Sequence, residues 1–202
     1  MDEKSIAGNF VDSAQAVPWS VEDSMSFRLA ELLLLLDEMR QYTTKVITVD
    51  RIGYFAFFAS HPFVLVDRQD DQGAADRVKL NAAGFSRTQI SYASIGSRYV
   101  RRRRLLQIDL EILVSYELCK ITHRGFSLSE QGLELVAALM TAHAEAYRVA
   151  VRVVLKRLAR ISDAALTRVA REVLGSSWLL IDFTEDVRET EIVNEVKDES
   201  TK

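Results

Sequence analysis

Hydrophobic residues recur at three- and four-residue steps in several separate stretches of the chain, which indicates amphipathic helices. The first stretch covers about residues 26–42 and contains five consecutive leucines, Leu32–Leu36, so this helix is apolar nearly all round. Such a helix is expected either at the centre of the core or between the core and a partner protein. A second helix follows, with Thr48 or Asp50 as its cap, and it ends before Pro62.

The pattern is weaker over the next part of the chain. Phe63–Val66 predicts a brief strand or extended segment. Residues 67–97 are polar and contain three glycines, which predicts a long insertion or loop with a short helix over Ala74–Leu80. These glycines do not follow the spacing of phosphate-binding or dinucleotide-binding loops, so no nucleotide site is expected.

The stretch Arg98–Gly132 predicts a helix, a hairpin and the start of another helix. The helix has two adjoining apolar rows, namely Leu105, Ile108 or Asp109, Ile112 and Tyr116, and beside them Leu106, Leu110 and Leu113. After Leu118 the period changes to two, with a turn that ends in Gly125. Ser129 then caps the next helix. This order predicts a mainly α fold with a small β-hairpin and a winged helix-turn-helix core.

A long C-terminal helix is predicted over Glu130–Ile161, because apolar residues step by three or four throughout, close to a heptad repeat. A single contact face of this helix is too narrow to bury both of its apolar rows. We expect the helix to pack on the core and a neighbouring helix, or else against a partner subunit. Ser162 then caps a shorter helix over Ala164–Leu174, which Gly175 ends.

Three regions follow from these patterns. Residues 1–25 are expected to form a flexible arm, residues 26–175 a winged-helix domain with C-terminal helices, and residues 176–202 an aromatic segment and an acidic tail. The net charge of −3 divides unevenly among them. Five acids and one base fall in the arm, and eight acids and three bases fall in residues 182–202, so the centre of the chain is basic.

Composition argues against several functional classes. The single Cys119 cannot form an internal disulfide, which favours a reducing compartment, and its apolar surroundings predict a buried thiol. No signal peptide or membrane span is evident, so we expect a soluble, cytoplasmic protein without membrane contact. His61, His123 and His143 belong to no metal or catalytic motif, and we expect neither an enzyme nor a cofactor.

Arg98 and Arg101–Arg104 form the one concentrated charge feature. Four consecutive arginines cover the circumference of a helix turn, so they cannot all face one ligand. Contact with nucleic-acid phosphates, docking of an acidic protein surface and a solvated helix end all remain open. The candidates for DNA binding are the basic residues of the helix and the hairpin, namely Arg98, Arg101, Arg102, Arg104, Lys120 and Arg124.

These features together resemble the middle components of bacterial ABC three-component systems, a group that includes the small accessory subunit of Lamassu-type anti-phage defence complexes. The resemblance covers about residues 26–175. The features that carry it are the Leu32–Leu36-Asp37-Glu38 helix, the aromatic-rich second helix ending in His61-Pro62, the arginine-rich helix leading into Leu118–Thr122, the Gly125-Phe126-Ser127-Leu128 wing and the Ser162-Asp163 helix. The segment 67–97 is longer than the corresponding connection in the family.

The resemblance implies a non-enzymatic winged-helix adaptor between an SMC/Rad50-like ATPase and an effector subunit, commonly a nuclease, with DNA contacted through the complex. The residues predicted to contact a partner come from the two-sided helices and the aromatic segment, namely Leu32, Leu35, Met39, Tyr147, Val151 and Trp178. The alternative is a homodimeric winged-helix transcription regulator that binds DNA through the arginines and the wing.

Overall fold

In its described part the chain is mainly helical, with one small antiparallel hairpin, as the sequence predicts. The computed structural model describes residues 24–42, 47–66, 71–88 and 95–175. Its elements are α1 (Met25–Tyr42), α2 (Val49–Ser60), α3 (Phe63–Val66), α4 (Asp71–Ala82), α5 (Ile95–Ser115), β1 (Cys119–Thr122), β2 (Gly125–Leu128), α6 (Glu130–Ala138), α7 (Ala142–Leu158) and α8 (Asp163–Leu174). Nearly all of the predicted arm and the whole of residues 176–202 lie outside the described residues.

Helix α1 lies at the centre of the core. It packs against α2, α5, α6, α7 and β2. Because it has neighbours on so many sides, all of Leu32–Leu36 are buried within the chain itself. Of the two environments expected for this leucine run, the structure therefore shows the central one.

The hairpin follows α5 directly and is tied to the chain between α1 and α2. Strand β1 pairs with β2 in antiparallel register, with Cys119 opposite Leu128. Ile47 lies beside the start of β2, where its amide donates to the Arg124 carbonyl at 2.8 Å and its carbonyl accepts from the Phe126 amide at 3.3 Å. This contact holds the hairpin against the start of α2.

The close approach at Ile47 requires glycine at position 125. Gly125 has a φ of 83°, in the left-handed region that favours glycine. A Cβ atom placed there would lie 2.0 Å from the Ile47 carbonyl oxygen. Both the backbone conformation and the available space therefore exclude a side chain.

Of the two caps predicted for α2, Thr48 and Asp50, the structure shows Thr48, and the predicted caps at Ser129 and Ser162 are confirmed. Each side-chain oxygen accepts a hydrogen bond from the backbone amide three residues further on, which satisfies an amide that the first helical turn leaves unpaired. Gly175 ends α8 with a φ of 53°, also as predicted.

The prediction of one helix over Glu130–Ile161 is wrong, because the chain breaks between α6 and α7. Thr141 caps α7 by accepting from the Ala144 amide at 3.1 Å. The Arg148 guanidinium reaches back from α7 and donates to the carbonyls of Val136 and Leu139 at the end of α6. The heptad row is thereby interrupted, and its member Met140 is 80% exposed.

The segment between α2 and α5 is also more helical than expected. Phe63–Val66 is a one-turn helix, α3, rather than a strand. Within residues 67–97, predicted as a long loop, the helix expected over Ala74–Leu80 is longer and forms α4, and the first residues of α5 also fall there. Helix α4 packs against α3 and α7, so this part of the segment belongs to the packed domain.

Candidate interaction surface

The arginines of α5 divide into an inner and an outer set. Arg102 turns inward, where its guanidinium donates to the Glu31 carboxylate of α1 and to the Ser60 hydroxyl at the end of α2. Arg103 pairs with Asp50 of α2 at 2.9 Å. These two arginines therefore join α5 to its neighbours, and Arg102 in particular has a structural partner where the sequence predicted a DNA contact.

Glu31 is the carboxylate around which this part of the core is arranged. It is buried, and it accepts from Arg102 on one side and lies 3.3 Å from the His143 ring on the other. Burial alone would raise the pKa of Glu31, but the charge and hydrogen bond of Arg102 together with His143 bring it below its ordinary value. Glu31 therefore keeps its negative charge and fixes Arg102 in its inward position.

His61 ends α2 close to this cluster, in agreement with its predicted loop or capping role. Its amide donates to the carbonyls of Phe57 and Phe58, and its Nδ1 lies 3.2 Å from the Phe57 carbonyl oxygen. Burial, helped by the charges of Arg102 and Arg98, lowers the pKa of His61 to about 4. His61 is thus a neutral structural residue at ordinary pH.

Arginine–carboxylate pairs also join other helices across long sequence separations. They are Arg28–Asp109 between α1 and α5, Arg51–Asp163 between α2 and α8, Arg152–Glu38 between α7 and α1, and Arg157–Asp76 between α7 and α4. In each pair at least one side chain is almost completely buried. Sequence reasoning missed these pairs, because the only local signal is an acid or arginine inside an apolar helix, and that signal does not identify its partner.

The outer face of α5 forms a stripe of exposed side chains, which we call the α5 stripe. Its members follow at three- and four-residue steps and are Arg101, Arg104, Ile108, Glu111 and Ser115. At 1.5 Å of rise per residue the stripe is about 21 Å long. Its chemistry changes along the helix from two arginines through an isoleucine to an acid.

The hairpin continues this surface beyond the C-terminal end of α5. Lys120 and Arg124 are exposed there, and so are the hydrophobic residues Tyr116 and Ile121. The predicted basic residues thus fall into two groups, because about 16 Å of helix separates Arg104 from the end of α5. Arg98 lies apart from both groups, half-buried and close enough to His61 to influence its pKa.

The predicted partner contacts on α1 and α7 require correction. Leu32, Leu35, Met39, Tyr147 and Val151 are all buried in the chain's own core, so a partner cannot touch them while the fold is intact. Trp178 lies outside the described residues. The large hydrophobic side chains that the structure does expose include Ile108, Tyr116, Ile121, Leu135 and Met140.

The described ranges contain no group of three or more histidine, cysteine, aspartate or glutamate side chains arranged to hold a metal ion. None of their helices combines the length and the apolar character needed to cross a lipid bilayer. Comparisons with protein-family models, with curated proteins and with solved structures found no match to this chain.

Proposed function

We propose that this chain is a cytoplasmic, non-enzymatic winged-helix adaptor that links an SMC/Rad50-like ATPase to an effector nuclease in an anti-phage defence complex. The winged-helix assignment is supported by the element order α1, Ile47, α2, α5, β1 and β2, with α3 and α4 inserted before α5. In that fold the helix before the hairpin is the recognition helix and the hairpin is the wing. The family role itself comes from the sequence resemblance, which the order of elements supports.

The observation that carries the adaptor role is the mixed chemistry of the α5 stripe. A helix that follows a DNA groove meets phosphates along its length, and acids there oppose binding. Here Glu111 lies between the two arginines and the wing, and Ile108, which is 52% exposed, lies beside it. A surface of adjacent basic, apolar and acidic groups suits a protein partner, because such interfaces combine apolar area with a charged rim.

The central test is affinity purification of the tagged full-length chain, expressed from its native operon, with mass spectrometry and light scattering of the eluate. The wild-type chain is expected to co-elute with a large coiled-coil ATPase. Arg101→Glu/Arg104→Glu should lose that partner, since it reverses the basic end of the α5 stripe. The matched control Lys156→Glu/Arg168→Glu changes the net charge equally at exposed positions on α7 and α8 and should retain it. A strictly monomeric chain that captures no operon neighbour would refute the adaptor role.

The second candidate is a homodimeric winged-helix transcription regulator, favoured by the exposure of Arg101, Arg104, Lys120 and Arg124. It predicts a dimer on two DNA half-sites about one helical turn apart. If Arg101 and Arg104 each touch a phosphate of B-DNA, replacing both with Ala should reduce the slope of log affinity against log salt by about 1.8. An unchanged slope would assign these arginines to protein docking or solvent. Failure to select any DNA sequence over random competitor would exclude the regulator.

A further inference from the structure

Strand β1 has an open outer edge within the described part of the chain. Among the described residues its sheet has two strands, and Ile47 joins that sheet on the far side of β2, next to Gly125. No described strand therefore lies on the other side of β1. An open strand edge presents backbone amides and carbonyls, to which an extended chain can add as a further strand.

The register of the hairpin identifies which backbone groups face that edge. Ile121 pairs with Phe126 across the hairpin. The Phe126 amide donates to the Ile47 carbonyl at 3.3 Å, so it points away from β1. In an antiparallel ladder the two residues of a pair either bond to each other or both direct their backbone groups outward. The amide and carbonyl of Ile121 therefore both point to the outer edge of β1, and Ile121 is 68% exposed there.

The side chains along this edge determine the chemistry of the strand that fits it. Successive residues of a strand point to opposite faces, so Ile121 lies on one face of the hairpin and Lys120 lies on the other. The segment Cys119–Leu128 carries the exposed bases Lys120, His123 and Arg124, and it contains no acid. An added strand therefore meets an apolar neighbour on one face and a base on the other. Alternating apolar and acidic residues complement both faces.

We propose that the outer edge of β1 binds an extended segment of a partner protein with alternating acidic and apolar residues, which adds to the hairpin as an antiparallel strand. A second copy of this chain fits poorly, because two β1 edges would bring the bases of two hairpins together. The binding edge itself does not depend on the proposed function. Naming the ATPase as the source of the segment does rest on that function.

The binding edge is tested with a fluorescein-labelled peptide of four glutamates and three valines in alternation, titrated with the full-length chain and followed by fluorescence anisotropy. In the proposed register a valine lies opposite Ile121 and exchanges both backbone hydrogen bonds with it, while the glutamate amides point away from β1. Methylation of the valine amides should therefore weaken binding at least about tenfold, whereas methylation of the glutamate amides should change it less than about twofold. A peptide of the same composition with its valines grouped at one end is the control for charge attraction and should bind more weakly.

Two variants of Ile121 test the same contact from the protein side. Ile121→Ala keeps the backbone amide, whereas Ile121→Pro removes it, and an edge strand tolerates proline where the missing amide would face outward. Ile121→Pro should bind the unmodified peptide at least about tenfold more weakly than Ile121→Ala, because only proline removes the hydrogen-bond donor. Urea unfolding should give the two variants similar midpoints. If Ile121→Pro does not fold, the methylated peptides decide the question alone.

Three outcomes would overturn the proposal. They are no binding of the unmodified peptide, a loss on methylation of the glutamate amides as large as that on methylation of the valine amides, and equal binding of the alternating and grouped peptides. The last outcome would indicate charge attraction alone. The peptide is tested on the isolated chain, so capture of an ATPase in the purification without peptide binding would remove the binding edge and retain the adaptor role.

Discussion

The buried ion pair between Arg28 and Asp109 provides the sharpest test of how α5 is held against α1. The Arg28 Nε lies 2.7 Å from Asp109 Oδ2, and its terminal nitrogen lies 2.8 Å from Oδ1. Only 12% of the arginine side chain and 4% of the aspartate side chain are exposed. The pair is therefore bidentate and almost completely shielded from water. In such a pair each charge is stabilised mainly by its partner.

We expect Arg28→Met and Asp109→Leu each to lower the free energy of unfolding by about 3–5 kcal/mol, because each leaves an uncompensated buried charge. The double variant should fall within about 1 kcal/mol of the wild type or exceed it, because two apolar side chains of similar size remove both desolvation costs. The two effects are thus expected to be strongly non-additive.

Urea unfolding followed by circular dichroism measures these differences. With an m-value of about 2 kcal/mol per molar, a loss of 4 kcal/mol moves the midpoint by roughly 2 M. The same cycle on the surface pair Arg40–Asp37, whose arginine is 57% exposed, is the control and should give a coupling of about 0.3 kcal/mol. Single variants that cost less than about 1 kcal/mol, or costs that simply add in the double variant, would refute the reasoning.

Three further outcomes are expected. Gly125→Ala should cost about 3 kcal/mol or more in urea unfolding, whereas Gly84→Ala, with a φ of 94° and open space around it, should cost only about 1–2 kcal/mol. The pKa of His61 falls from about 6.5 in the unfolded chain to about 4 in the fold. The stability that His61 contributes is therefore complete above pH 6.5, and the free energy of unfolding declines towards pH 4 by up to about 1.4 kcal/mol per pH unit. His61→Asn should make the free energy of unfolding depend less on pH in this range. Burial raises the pKa of Cys119 to about 12, so iodoacetamide should label it far more slowly in native protein than in urea.

Local features could be predicted from the sequence because their physical causes are local. A cap such as Ser129 satisfies an amide three residues away, and the turn before Gly125 depends on the conformations open to a few residues. The helix boundaries at such positions, the hairpin and the end of α8 at Gly175 therefore agree with the sequence analysis. No information from distant parts of the chain is needed for them.

The break between α6 and α7 could not be predicted in the same way. Thr141 is a capping residue, but an apolar row continues on both sides of it. The end of α6 is stable because Arg148, on the next helix, satisfies carbonyls that would otherwise lack partners. The heptad pattern does not depend on that contact. The pattern therefore predicted one continuous helix across the break.

The buried face of α5 also depends on a distant residue. Helical periodicity left Ile108 and Asp109 as alternatives on one row, and hydrophobicity alone favours burying the isoleucine. In the structure Ile108 is exposed and Asp109 is 3% exposed, because Arg28 arrives from α1 to pair with the carboxylate. That partner lies 81 residues away, so the exposed Ile108 of the candidate surface could not be identified from the helix itself.

The four consecutive arginines of α5 have different roles, because some of them hold the fold together and others lie on its surface. Periodicity states that Arg101–Arg104 cannot share one face, but the acids that draw Arg102 and Arg103 inward belong to α1 and α2. Loss of Arg102 leaves the buried carboxylate of Glu31 without its arginine, which destabilises the fold whether or not a partner exists. A variant that replaces all four arginines would therefore lose binding by unfolding. Substitutions restricted to Arg101 and Arg104, on the exposed face, leave the pairs of Arg102 with Glu31 and of Arg103 with Asp50 intact, and they are therefore the better test of what the α5 stripe recognises.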